Sequence, residues 1–560
     1  MSSRRLIAEI KKLLDQEVGT VYKPHAGRLR FALAFPNTYY VGMSNLGFQT
    51  VYRLLNDRED SVCERVFAPN PPDLDELLRT GEPLITMESR TPVRDFDVLA
   101  LSVSYELDYP NVLRIMTLSG IPELACGRDS SHPLVIAGGP AATFNPEVLA
   151  PFVDAFVIGE AEETLPEIVQ ALAEDTGDRT ESLLKLARIP GVYVPRFYEP
   201  EYNEDGTIRR VRALNGVPET VTRRWLPRLD VFPATSAILT PETEFSNMIL
   251  AEVARGCGRR CRFCVAGYTS LPPRAASPEA VLRGVIAAEE RFAGASRRNP
   301  RIGLISASVF DHPGSRLICE SLVERERLFS ISSTRADTLD RDIARVLYRG
   351  GQETLTIAPE AGTEMLRRAI NKGLSDDDIL SAASVAWDAG FRRLKLYFMV
   401  GLPTETDDDV SAISSLVSRI ATPSAWERLT VSVSCFVAKP WTPFQWAAME
   451  SEKRLAEKLK AVRASLREIR RVRLVGESAR EAVVQGVLAR GDRRLRDSLM
   501  IVNRENIGWR AAFRKTGVDP AFYAQRSRFR EEVFPWDHIR TGVGKDELWR
   551  EYEHSGVPRV

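Results

Sequence analysis

The sequence predicts an α/β protein with two parallel-sheet domains and a mainly helical C-terminal region. Three observations carry this. Two stretches alternate short apolar runs with amphipathic helical patterns, the sequence mark of parallel sheets flanked by helices. A proline-rich interval separates them, and the strand pattern fades after about residue 450. The expected boundaries are 1–187, a linker or hairpin at 188–246, a partial βα barrel at 247–447, and a helical domain at 448–560.

The first stretch opens with Leu6, Ile7, Ile10, Leu13 and Leu14 at helical spacing. Strand-like runs follow at Arg30–Phe35, Leu84–Met87, Val98–Val103, Leu134–Ala137 and Ala155–Ile158. Helical patterns fit Leu46–Leu55, Asp73–Arg79, Tyr109–Ser119 and Glu162–Ala173. The linker carries a turn signal, Asn203-Glu204-Asp205-Gly206. The second stretch predicts strands at Ile249–Val253, Ile302–Ser306, Phe329–Ser333, Glu353–Ile357, Arg393–Met399 and Thr430–Phe436. Helices fit between them, and six strands with intervening helices suggest a partial or complete barrel. Beyond it, Leu455, Leu459, Val462, Leu466 and Ile469 form an apolar seam within a helix expected over Glu452–Arg473.

Composition narrows the class. Basic and acidic side chains number 76 each, so net charge is zero and there is no global attraction to phosphate. Hydrophobic residues at 44% argue against a disordered chain. No run approaches the ~18 apolar residues of a membrane span, and the N-terminus lacks a secretory pattern. Seven cysteines, odd and sparse, do not make a disulfide scaffold. The expected setting is the cytoplasm. Of the 76 basic residues 64 are Arg, a bias that identifies no ligand by itself.

Three cysteines fall within eight residues: Arg255-Gly256-Cys257-Gly258-Arg259-Arg260-Cys261-Arg262-Phe263-Cys264. A short loop after a strand can fold three thiolates around one inorganic centre, and Gly256 and Gly258 would ease the bend. Three ligands to a four-iron cluster leave one iron open. Structural zinc wants four ligands, and no second pair of cysteines is visible. A plain electron-transfer cluster would need a fourth ligand, with Cys319 or Cys435 the candidates. Three unrelated core thiols are the bland reading. Cys63 and Cys126 read as small core residues.

Cys257-x3-Cys261-x-Phe263-Cys264 resembles the signature of the radical S-adenosylmethionine (SAM) superfamily. The resemblance implies a partial (βα)6 barrel, a 4Fe-4S cluster on Cys257, Cys261 and Cys264, and Phe263 near the adenine. Tyr397 to Glu405, with Met399, Gly401 and Glu405, looks like the fifth-strand turn that supports adenine. Ala358 to Thr363, with Glu360, looks like the fourth-strand exit, and Val437 to Pro443 like the sixth. The family's Gly-Gly-Glu-like run is replaced by Ser306 to His312, so Ser306 or Ser308 would take its place. His312 reads more simply as a structural loop histidine.

Gly138-Gly139-Pro140-Ala141-Ala142-Thr143, then Gly159-Glu160, resemble the Rossmann-like cobalamin-binding domain fused to many such enzymes. On that resemblance Gly138, Gly139, Pro140, Thr143, Gly159 and Glu160 would face cobalamin. The Asp-x-His-x-x-Gly motif is absent, so no lower axial ligand is named. Phe35 to Gly47, Tyr105-Glu106-Leu107 and Pro535 to Ile539 resemble a functionally undefined group of cobalamin-domain radical SAM proteins.

The resemblance implies reductive cleavage of SAM to a 5′-deoxyadenosyl radical, with cobalamin-dependent methylation a further option. The competing class is an iron–sulfur carrier or binding protein without radical chemistry. A reductant such as flavodoxin or ferredoxin is implied. The substrate is not named; RNA and protein are both open. Residues 452–473 hold nine basic and three acidic side chains, a contact for a polyanion or simply a solvated helix face. Trp509, Trp536 and Trp549 read as packing anchors. His538 reads as a hydrogen-bond node in the fold rather than a lid residue.

Overall fold

The structure is a computed structural model that describes residues 4–174, 177–294 and 300–558. The first sheet comprises β1 (Leu29–Phe35), β2 (Ser61–Phe67), β3 (Val98–Ser102), β4 (Leu134–Gly138), β5 (Ala155–Val157) and β6 (Val192–Tyr193). Its order is β2-β1-β3-β4-β5-β6, parallel except for β6. The chain doubles back between β1 and β3, so a crevice opens at their carboxyl ends.

Two expectations fail here. Leu84–Met87 is not a strand; it makes one isolated bridge, Ile85 to Pro92. The missing strand is β2, whose Glu64 and Arg65 interrupt the apolar run. Both are buried. Arg65 is held by Glu17 at 2.6 Å and Glu88 at 2.7 Å, which offsets the cost of burying its charge.

The linker forms the expected hairpin, β7 (Tyr198–Tyr202) with β8 (Ile208–Ala213). It then gives β9 (Val221–Thr222), which pairs with a strand from the far end of the chain described below. Each half of the barrel wall follows. One sheet is β10 (Met248–Glu252), β13 (Arg301–Ile305) and β14 (Phe329–Ile331). A small ribbon, β11 (Ala254–Arg255) with β12 (Arg274–Ala275), flanks the cysteine loop. The second sheet is β15 (Thr354–Glu360), β16 (Arg393–Val400), β17 (Arg428–Cys435) and β18 (Val472–Gly476). A parallel bridge from Thr334 to Ile357 joins the two into one curved wall.

All six expected barrel strands are present. The seventh, β18, corrects the boundary at 447: the wall runs on to residue 476. The basic helix is shorter than expected, Glu452–Leu466, because the chain turns at Arg467 to enter β18. The remainder is mainly helical, with β19 (Ile539–Arg540) returning to β9. No described helix is long and apolar enough to cross a membrane.

Alternate residues of the barrel strands face opposite sides. Leu394, Leu396 and Phe398 of β16 and Leu429, Val431 and Val433 of β17 pack into the core under the outer helices. The intervening residues face the lumen.

Candidate active site

The expected SAM and cluster residues converge on the carboxyl edge of the barrel wall, where the loops after β10, β13, β15 and β16 meet. Catalytic residues of βα barrels gather at this edge. The cysteine loop is pinned from several sides. Arg262 N–H donates to the Ile370 carbonyl at 2.9 Å, and Asn371 donates to the Arg260 carbonyl at 2.9 Å. Arg259 pairs with Asp311 at 2.5 Å, in the turn after β13. The terminal helix Lys545–Glu553 adds Glu547 to Arg260 and Glu551 to Arg262, the latter at 3.1 Å. Nothing in the C-terminal sequence announced this clamp.

Gly256 has φ +85°, and a Cβ there would lie 2.3 Å from the Ser270 carbonyl oxygen. Gly258 has only a side-chain atom of Pro273 at 3.6 Å. The bend therefore needs the first glycine and not the second.

Burial pushes the Cys261 thiol up to about 11, while Lys372 and Arg335 pull it down. Burial also raises Cys264, and the charges of Cys257 and Glu360 act on it. The three thiols and Glu360 thus sense one another. A bound metal would reverse this, since a coordinating thiol is deprotonated outright. No three described His, Cys, Asp or Glu side chains converge as on a single metal ion. Thiolates of a four-iron cluster sit on separate irons and need no such convergence. Cys319 is buried in the outer helix Ser315–Glu324, and Cys435 joins the same helix-side core. Neither faces the loop as a fourth ligand.

Glu360 stands at a register shift of β15 with φ +71°, rare for a residue with a side chain. Its carboxylate meets Lys372 at 3.1 Å, and burial raises its pKa against that partner. Glu405 accepts from the Gly401 N–H at 2.8 Å and binds Lys458 at 2.7 Å. Lys458, from the basic helix, also meets Glu450 at 2.5 Å. Lys372 and Lys458 are functional-site neighbours that sequence reasoning missed; both lay inside stretches read as ordinary helix or loop. Phe263 and Met399 are half-buried at this edge. The Ser306 hydroxyl accepts from the Ser308 N–H at 3.3 Å, and Ser308 bonds Asp311. Both serines therefore shape the turn that holds Arg259. His312 is structural: its Nε2 meets the Ala276 carbonyl at 2.6 Å and its Nδ1 accepts from Gly314.

The expected cobalamin residues divide. A Cβ on Gly139 would strike the Val103 carbonyl at 2.6 Å, and on Gly159 the Arg224 carbonyl at 2.1 Å. Thr143 accepts from the Gly159 N–H at 3.1 Å. Those glycines serve close packing of the chain on itself. Glu160 is enclosed by Arg255 at 2.7 Å, Arg274 at 2.7 Å and Arg223 at 3.4 Å. It ties the first domain to the cysteine loop and has no free lone pair directed at a cofactor. Gly138 and Pro140 stay partly open. The crevice between β1 and β3 is flanked instead by Tyr40, Val41 and Tyr105, each more than 40% exposed. His538 is buried against Tyr193 and Tyr198, with its Nε2 3.7 Å from the Glu147 carboxylate, a place inside the fold rather than on a lid.

Family models match two parts of the chain, together more than half of it: the N-terminal domain of radical SAM proteins over residues 47–195, and the radical SAM superfamily over 251–417. An uncharacterized protein of Methanocaldococcus jannaschii is 29% identical over 83% of this chain and 89% of its own. An uncharacterized methyltransferase of Pyrococcus horikoshii is 26% identical over 51% and 58%. Among solved structures, the radical SAM methyltransferase TsrM of Kitasatospora setae is similar with a TM-score of 0.47, 14% identity and 72% of each chain covered. The cobalamin-dependent radical enzyme OxsB gives 0.46, 15%, and 70% and 52%. With the cysteine loop, the curved wall and the N-terminal sheet in these places, the chain is a radical SAM enzyme.

Proposed function

We propose that this enzyme cleaves SAM reductively at a 4Fe-4S cluster held by Cys257, Cys261 and Cys264, and uses the resulting radical to modify a substrate in the barrel. The observation that carries the reading is the three-cysteine loop, fixed at the carboxyl mouth beside Glu360 and Lys372. When bound, the cluster and SAM together supply an electron-driven C–S cleavage that releases a 5′-deoxyadenosyl radical. Lys372 and Arg335 offset the thiolate charge on the loop. Glu360, placed by its left-handed backbone, offers a carboxylate to the amino end of SAM. The turn from Met399 to Glu405, braced by Lys458, gives the adenine a fixed backbone edge, with Phe263 beside it. A low-potential donor of the flavodoxin or ferredoxin class would deliver the electron.

The first domain is proposed to take cobalamin in the crevice between β1 and β3, where Tyr40, Val41 and Tyr105 offer apolar surface to a large flat ring. Methyl transfer would follow from that occupancy, in line with the methyltransferases to which the chain is similar. A cobalt absorption spectrum after growth with the vitamin tests it; a colourless apoprotein would refute it.

Anaerobic reconstitution with iron, sulfide, dithionite and SAM tests the main reading. We expect 5′-deoxyadenosine from the native chain and none from Cys261→Ala. An intact cluster without that product would sink radical chemistry and favour an electron carrier.

A further inference from the structure

We infer that the barrel lumen binds its substrate by an oxyanion, gripped between Lys395 and Arg473 at the floor of the wall. This rests on the reading above, in which the substrate enters the barrel. Register places the residues. Thr356 pairs with Lys395, Lys395 with Thr430, and Thr430 with Arg473, so all four lie in one row across β15, β16, β17 and β18. Their neighbours along each strand, including Leu355, Leu394, Leu429 and Leu474, pack on the helix side. The row therefore faces the lumen. Strands stand about 4.8 Å apart, which puts the Lys395 and Arg473 backbones about 10 Å apart with Thr430 between them. That span suits one oxyanion met from both sides.

The lumen differs from a filled barrel interior, where branched apolar side chains stack in layers. Above the row lie Tyr397 and Ser432, then Met399 and Ser434. These four are half-exposed, and on β18 both Arg473 and Val475 are exposed, Val475 by 44%. The β10 side supplies an apolar wall, Met248 and Leu250 closing over Gly303. The inner face of the wall is thus polar on the β16–β18 side and apolar on the β10 side.

Both cations lack an acidic partner. Among the described residues Lys395 has only the Tyr397 ring, 4.7 Å from its Nζ, and Arg473 has no ion pair or hydrogen bond. Arg393, one pleat below, is by contrast paired with Glu353 at 2.7 Å and Glu427 at 3.1 Å. Two unpaired cations on one face of the wall are complementary to an anion. From this row to Met399 is four residues, about 13 Å of strand. The substrate class is therefore an elongated small molecule, anionic at one end, with its reacting carbon at the other.

Full-length protein is titrated calorimetrically with pyrophosphate, with sodium chloride at matched ionic strength as control. We expect saturable binding, weakened about tenfold or more by Lys395→Met and by Arg473→Gln, as for loss of one charged hydrogen bond. Lys395→Arg and Arg473→Lys should recover most of it. Equal binding by native protein and both neutral variants, or no saturable binding, overturns the inference. So does loss of binding in Arg463→Gln/Arg467→Gln alone, which would move the anion site to the outer helix. Iron content and 5′-deoxyadenosine are measured on the same samples. Their absence would refute the radical reading while leaving the anion result to stand or fall separately.

Discussion

Replacing Gly256 by Ala should disable the cysteine loop, and replacing Gly258 by Ala should not. At Gly256 the backbone is left-handed, φ +85°. That conformation costs an L-residue roughly 1–2 kcal/mol. The added Cβ would also meet the Ser270 oxygen at 2.3 Å, the Ser270 carbonyl carbon at 3.2 Å and the Pro273 Cα at 3.3 Å. All three are backbone atoms, so no side chain can rotate away. Ordinary contact begins at 3.4 Å, so something must move by about 1 Å. Overpacking of this kind adds ~1–3 kcal/mol, for a total of about 2–5 kcal/mol. The shift falls one residue before Cys257 and opens the β11–β12 ribbon. Iron and sulfide per chain, with absorbance after anaerobic reconstitution, measure the effect. We expect Gly256→Ala to lose most of its iron while a folded core remains, and Gly258→Ala to match the native protein. Full reconstitution of Gly256→Ala, or equal loss in both variants, would refute the argument from backbone geometry.

Two further outcomes follow from buried charge. Burial holds His538 neutral, its pKa down to about 4 against an ordinary 6.5. A base whose folded pKa is depressed stabilises the fold above pH 6.5 and loses that contribution as pH falls toward 4, about 3 kcal/mol in all. His538→Phe, which keeps the aromatic packing, should show a shallower fall of Tm over that window; parallel curves would contradict this. Lys458→Met would leave the Glu405 and Glu450 carboxylates facing each other without a cation. Breaking such a buried pair costs ~3–5 kcal/mol, and SAM affinity should fall with it. Denaturant titration and SAM binding check both parts, and Lys458→Arg should restore much of each.

The barrel was legible because each of its first six strands is apolar on the helix side, and the cysteine spacing stood out against a cysteine-poor chain. What escaped notice was fixed by distant partners. β2 hides behind Glu64 and Arg65: Glu17 and Glu88 balance the Arg65 charge, and His25 and Thr86 hold the Glu64 carboxylate, all of them distant in sequence. β18 was taken for the end of a basic helix, because the seam through Leu466 and Ile469 continues the helical spacing up to its first residue. The basic residues of 452–473 then split: Arg463 and Arg467 lie on the outer helix side, Arg473 on the lumen face of β18. Of the candidate site, the cysteines, Glu360 and Glu405 are the residues that motif points to. Lys372 and Lys458 were not, since a lysine signals its partner only when the fold brings the carboxylate to it.

The knot around Glu160 has a consequence for how the chain can be rearranged. One carboxylate from the first domain pairs with arginines from the linker, from the strand entering the cysteine loop and from β12. Exchanging the first domain for a relative's would leave Arg223 and Arg274 without an acid, and Arg255 with Glu252 alone, unless an acid returned at the same place. The two halves are therefore not interchangeable cassettes. Recombination between such proteins should succeed only at crossovers that carry Glu160 and its three arginines together, or that fall outside residues 160–274 altogether.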